Sequence, residues 1–223
     1  MRRKKLIIKL FLIVIFILLF IVISLLIIQK YKDKRINDDI SSIYNNPKYN
    51  EAYIIEGIDV KKQEISCGYA VMEMISDWSN NTVTEKGLFD KYGKVVTSSG
   101  KNFEKEMNKQ FTMFDTKMYK YLKNSELVDK VYESLSKGIP VPFEWAAKYN
   151  DEWTLHYSII YGMDVKNDLI VIANPYGYVE EISIKEFLDR TSFKAYKNMP
   201  IYFKLAFSIG LFEKNTIFII NTK

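Results

Sequence analysis

The 223-residue sequence holds a single cysteine, Cys67, and a single histidine, His156. One cysteine excludes an internal disulfide and a multi-cysteine metal cage, and one histidine leaves almost no material for a zinc site. No metal and no other cofactor is therefore expected. The sequence also lacks a Gly-x-x-x-x-Gly-Lys-Ser/Thr phosphate loop, internal repeats and low-complexity tracts. Excess positive charge is missing from most of the chain, despite a formal net charge of +5. Residues 1–35 carry nine basic residues against Asp33 alone, so the remainder has 23 basic and 26 acidic residues and is net negative. Nucleic-acid binding by that remainder has no electrostatic support. What a lone cysteine and a lone histidine can make is a nucleophile and its base.

Leu10 to Ile28 is apolar except for Ser24. At about 1.5 Å per helical residue such a run spans roughly the 30 Å hydrocarbon layer of a bilayer, which predicts one transmembrane helix. A cleaved signal peptide is the rival reading, but the run is long for one, and Ser24-Leu25-Leu26-Ile27-Ile28-Gln29 offers no small-x-small cleavage site. Arg2, Arg3, Lys4, Lys5 and Lys9 slightly outweigh Lys30, Lys32, Lys34 and Arg35 with Asp33. That bias favours a single-pass protein of the cell membrane with its domain on the extracytoplasmic side. The expected organisation is a basic flank (1–9), a transmembrane helix (10–28), a polar tether (29–49) and one globular domain (50–223).

Within the domain, the stretch CGYAVMEMISDW places Ala70, Val71, Met74, Ile75 and Trp78 at helical spacing, predicting an amphipathic helix with Cys67 in its first turn. Thr82-x-x-Glu85 has the form of a capping box, and Ser99-Gly100 precedes Phe103, Met107 and Phe111, predicting two more helices. Another is expected over 125–137, stopped by Gly138 and Pro140. The period then changes: 140–146, 156–163 and 169–173 are short runs rich in Val, Ile, Phe and Tyr, as strands are. Ser183 is a candidate N-cap for a helix over 183–190, and 216–221 reads as a last strand. Residues 201–212 are apolar on most faces yet too few to span a bilayer, which leaves a core helix or one lying on the membrane surface. Helices first and strands second make an α+β fold.

A thiol at a helix N-terminus is expected to have a lowered pKa through the partial positive charge there. The backbone N–H of Cys67 and the side-chain amide of Gln63 are candidate oxyanion donors. His156, on a strand, is the candidate general base and acid. Asn174 ends the next strand; an antiparallel hairpin would bring its side-chain oxygen to the imidazole and fix the tautomer. Trp145, Trp153 and Tyr176 are candidates to line a cleft beside these groups, although aromatics near strands are more often core.

The ordered set Gln63-x-x-x-Cys67-Gly-x-Ala, Gly138-x-Pro-Val-Pro-Phe, Leu-His156-Tyr-Ser-Ile-Ile-Tyr-Gly-Met-Asp, Ile-Ala-Asn174-Pro-Tyr-Gly-Tyr and Ile-Ser-Ile-Lys-Glu-Phe-Leu resembles a known family. It is similar to the papain-like cysteine peptidases of the bacterial bacteriocin-processing, double-glycine-leader group, peptidase family C thirty-nine, and their stand-alone relatives, over residues 63–190. The resemblance implies a papain-like fold, a peptide or protein substrate, and Cys67, His156, Asn174 and Gln63 as nucleophile, base, orienter and oxyanion donor. The third position is usually Asp in that group and is Asn here. The expected activity is a membrane-anchored thiol peptidase working through a thioester. The alternatives are a thiol acyltransferase or amidase, and a catalytically silent module that keeps the fold.

Overall fold

The computed structural model describes residues 2–38, 40–93 and 99–223. The chain runs α1 (Arg2–Ile36), α2 (Ser41–Tyr44), β1 (Tyr53–Ile54), α3 (Cys67–Trp78), α4 (Glu85–Tyr92) and α5 (Gly100–Gln110). It continues with β2 (Phe114–Tyr119), α6 (Asn124–Leu135), β3 (Val141–Tyr149), β4 (Glu152–Asp164), β5 (Leu169–Asn174), β6 (Tyr178–Ile182), α7 (Ile184–Thr191), α8 (Ile201–Ser208) and β7 (Thr216–Thr222). This is the α+β order expected from the change of period. The strands form one antiparallel sheet in the order β2-β7-β3-β4-β5-β6, with β1 paired to β4.

Period-two alternation sends side chains of the central strands to two cores. Phe143, Trp145, Ile160 and Ile172 pack with α6 and α7 on one face, whereas Tyr157, Ile159, Ala173 and Phe218 pack with α3 and α5 on the other. Helix α3 is thus less amphipathic than its spacing suggested: Tyr69, Ala70, Val71, Met72, Met74 and Ile75 are all buried, because the sheet lies on one side and α4 and α5 cover others. Helix α4 starts three residues after the candidate cap Thr82. Its N-cap is Thr84, whose side chain accepts the Gly87 N–H at 3.1 Å. The Glu85 carboxylate is engaged elsewhere, as shown below. Ser99 and Ser183 cap α5 and α7 as expected. Strand β2 alternates Phe114, Thr116 and Met118 with Asp115 and Lys117 and pairs with β7, whereas β6 carries no clean alternation and emerges only through pairing with β5.

Two local features shape the site end of the sheet. Asn150 and Asp151, at φ 47° and 65°, make a two-residue turn between β3 and β4 in which both central residues are left-handed. Gly177, at φ +93°, closes the turn after β5 by donating to the Asn174 carbonyl at 2.9 Å, and a Cβ there would sit 3.0 Å from Lys62. Among the described residues of the expected polar tether (29–49), Ile36, Ile43 and Tyr49 are buried, and Lys214 pairs with Asp33 at 2.8 Å. Helix α1 is the one described helix long and apolar enough to cross a membrane.

Candidate active site

The loop before α3 is held by a carboxylate. Glu85 accepts the backbone N–H groups of Glu64, Ile65 and Ser66 at 3.0, 2.8 and 2.6 Å. The Glu85 N–H in turn donates to Glu73 on α3 at 2.7 Å, so the start of α4 is tied to the helix that begins at Cys67. Glu85 is buried, and its acceptor-only oxygens, with the Lys62–Tyr176 bridge just upstream, give the loop a defined path into Cys67.

Cys67 begins α3 and is half-buried. The sequence predicts a lowered thiol pKa; the structure reverses that direction. Burial pushes the thiol up to about 11, and the Glu144 charge adds to this, against the N–H groups of Tyr157, Gly68 and Cys67 itself. Desolvation of the sulfur outweighs the helix end because a thiolate loses more hydration than three N–H groups restore. The helix N-terminus therefore orients the sulfur without ionising it.

His156 and Asn174 share the sheet face opposite to α3. Trp145 pairs with His156, and the β4–β5 register carries Asn174 to the same side. His156 Nε2 lies 3.0 Å from Asn174 Oδ1. The orientation of the Asn174 amide follows from its other neighbours. Its Nδ2 donates to Glu180 Oε2 at 2.7 Å, and a carboxylate only accepts. Its Oδ1 also accepts the Tyr176 N–H at 3.0 Å. With Oδ1 so placed, Nε2 of His156 must be the protonated nitrogen, which leaves Nδ1 with the lone pair. Burial is the largest influence on the imidazole and lowers its pKa to about 4; the Asn174 hydrogen bond opposes this and the Arg190 charge adds to it. The imidazole is neutral at physiological pH. The Tyr176 ring stacks on it, centroids 4.2 Å apart.

Glu180 is fixed from behind by Arg190, whose Nη1 pairs with Glu180 Oε1. Arg190 is itself buried, donates from Nε to the Ala146 carbonyl at 2.9 Å, and lies 3.7 Å over the Trp145 ring. A chain of oriented groups therefore runs from Trp145 and Arg190 through Glu180 and Asn174 to His156. Sequence reading missed Glu180 and Arg190. Only the pairing of Glu180 with Ile172 puts it on the Asn174 face, and no motif marks it.

The described hydrogen bonds include none between Cys67 and His156; the N–H of Tyr157, the residue after His156, acts on the thiol. Gln63 is tied to the residue after Asn174: its N–H donates to the Pro175 carbonyl at 2.7 Å, and its side-chain oxygen is buried without a partner. A cleft of about 570 Å³ opens along Lys62, Gln63, Tyr149, Trp153, Tyr176 and Tyr202. Trp153 and Tyr176 thus line it as anticipated. Trp145 does not: it is fully buried, donating to Ser158 Oγ at 3.1 Å. On the α3 face, Glu144 is buried opposite Tyr157, and burial raises its carboxyl to about 7. Among the described residues, no group of three or more His, Cys, Asp or Glu could hold a metal ion.

A helix that begins at the sole cysteine, packed on an antiparallel sheet that carries the sole histidine and its asparagine partner, is the architecture of a papain-like cysteine peptidase. Residues 55–201 match the family described as Peptidase C39 like family, and the chain belongs to it. No curated protein matches the sequence. A similar solved structure is the crystal structure of a double glycine motif protease from an AMS/PCAT transporter in complex with the leader peptide. It is 16% identical at a TM-score of 0.48, covering 78% of this chain and all of that one.

Proposed function

We propose that the protein is a membrane-anchored thiol peptidase in which Cys67, His156 and Asn174 form the triad of a catalytic domain spanning residues 50–223. The observation that carries this reading is the hydrogen bond from His156 Nε2 to an Asn174 whose own orientation is fixed by Glu180. It leaves Nδ1 free to accept the thiol proton. The resting pair is neutral, so the proton moves as Sγ attacks: Nδ1 takes it while the S–C bond forms to the amide carbonyl carbon. The carbonyl electrons move to oxygen, which accepts from the Cys67 N–H and the Gln63 side-chain amide. Collapse of this tetrahedral species breaks the C–N bond, and the Nδ1 proton goes to the leaving amine. Water then attacks the thioester, again losing a proton to Nδ1, and the carboxylic acid and the free thiol result. Asn174 keeps the ring in one tautomer and position throughout.

Helix α1 supplies the anchor, and the larger positive charge of the N-terminal flank places the domain on the extracytoplasmic side. The test is full-length protein in lipid nanodiscs incubated with a peptide library, with new termini read by mass spectrometry. Cleavage that disappears in both Cys67→Ala and His156→Ala, and that yields hydroxamates when hydroxylamine is added, is the expected result. Absence of any Cys67-dependent product leaves a silent binding module. Products that carry an added amine in place of water identify an acyltransferase.

A further inference from the structure

Helix α8 is apolar on the side a soluble protein keeps polar. Phe207 points inward, where it packs with Phe193 and Phe212, and Phe203, half-buried, leans on Phe212 at the cleft. The exposed side carries Ile201, Tyr202 and Ile209, with half-buried Leu205 and Ala206 at its edges and no charge among them. Ile201 is 66% exposed, Tyr202 64% and Ile209 58%, and Leu211 just beyond is 57% exposed. The only charged residue of the helix is Lys204. A helix apolar all round is covered by something, either protein or lipid.

The position of α8 decides which. Its flank bearing Lys204, Phe207 and Ser208 closes a cavity against Leu26, Gln29 and Lys30 of α1. Those α1 positions are where the long apolar run gives way to polar residues, the level of a bilayer's interface. We propose that the outer face of α8 lies in the lipid interface beside α1. The partner is the bilayer: the acyl boundary takes Ile201, Leu205, Ile209 and Leu211, and headgroups meet Lys204, Lys197 and Lys30. Because Tyr202 and Phe203 also line the cleft, its mouth opens at membrane level, so a peptide lying on or leaving the membrane surface reaches it directly. The inference rests on α1 being a membrane span.

The test uses the full chain in a Cys67→Ala background, reconstituted in vesicles of phosphatidylethanolamine and phosphatidylglycerol. Single cysteines replace Ile15, Ile201, Ile209 or Lys105, each carries a nitroxide, and accessibility to oxygen is compared with that to a water-soluble nickel chelate. Ile201→Cys and Ile209→Cys are expected to gain oxygen access and lose nickel access as Ile15→Cys does, with Lys105→Cys remaining aqueous. Nickel access at 201 and 209 with lipid values at 15 overturns the α8 proposal alone. Exclusion of both reagents at 201 and 209 points to a second protein surface and overturns it as well. Aqueous values at 15 remove the membrane span, and the α8 proposal with it.

Discussion

Glu180→Gln is isosteric, yet it should disturb the only imidazole in the protein. Glu180 presents two acceptors, one to Asn174 Nδ2 at 2.7 Å and one to Arg190, and both of those partners are donors only. A glutamine offers one acceptor and one donor. If its oxygen serves Arg190, its NH₂ meets the Asn174 NH₂, and Asn174 gains by flipping. The flip turns an NH₂ toward His156 Nε2, which then must carry the lone pair, and the proton moves to Nδ1, where it blocks acceptance from the thiol. It also forfeits the Tyr176 N–H bond to Oδ1. If Asn174 stays, a buried donor is left unpaired beside it. Each route costs about 1–3 kcal/mol, so the productive tautomer should fall by roughly 10- to 100-fold relative to its competitor. Glu180→Ala removes an acceptor without adding a donor and should disturb the tautomer less. With one histidine in the chain, ¹⁵N imidazole spectra of histidine-labelled protein in nanodiscs report the tautomer without assignment. The expected result is Nε2–H in the native chain and in Glu180→Ala, with an Nδ1–H population appearing in Glu180→Gln. A native protein already in the Nδ1–H form, or a Glu180→Gln spectrum identical to native, would refute the orientation argument.

The remaining predictions concern the thiol, the buried carboxyl and the loop before Cys67. Alkylation of Cys67 by iodoacetamide should rise with pH through a midpoint well above the free thiol value of about 8.5, and hardly respond to His156→Ala; a midpoint below 7 that depends on His156 would instead mean a preformed ion pair. Glu144, at about 7 against a usual 4.5, contributes stability that is complete below pH 4.5 and lost as pH rises through 7. Glu144→Gln should therefore gain about 3 kcal/mol on the native chain between pH 4.5 and 8, and parallel melting curves across that window would exclude the buried charge. Glu85→Ala strands three backbone N–H groups, which should cost about 3 kcal/mol or more and lower Tm by roughly 6–12 °C; an unchanged Tm would show that water replaces the carboxylate without penalty.

Much of this molecule is written locally. The apolar run before Gln29, the cap residues Ser99 and Ser183, and the short apolar segments of β3, β4 and β5 each state their conformation through spacing and turn chemistry over a few residues. The pairing of His156 with Asn174 is nearly local too, because a hairpin of that length has few registers. Cys67 and His156 stand out by scarcity alone. What needed the tertiary structure depends on pieces far apart in sequence. Glu180 matters because β6 aligns it with Ile172 and places it behind Asn174. Glu85 reads as half of a capping box, and folding spends its carboxylate on the loop before Cys67 instead. The direction of the thiol pKa shows the same division: a helix N-terminus is visible in sequence and argues for a thiolate, but desolvation is set by everything packed around the sulfur and has the opposite sign. Sequence determined which groups are available for chemistry, since composition needs no folding; tertiary structure decided their protonation and orientation, since those depend on neighbours that only the fold supplies.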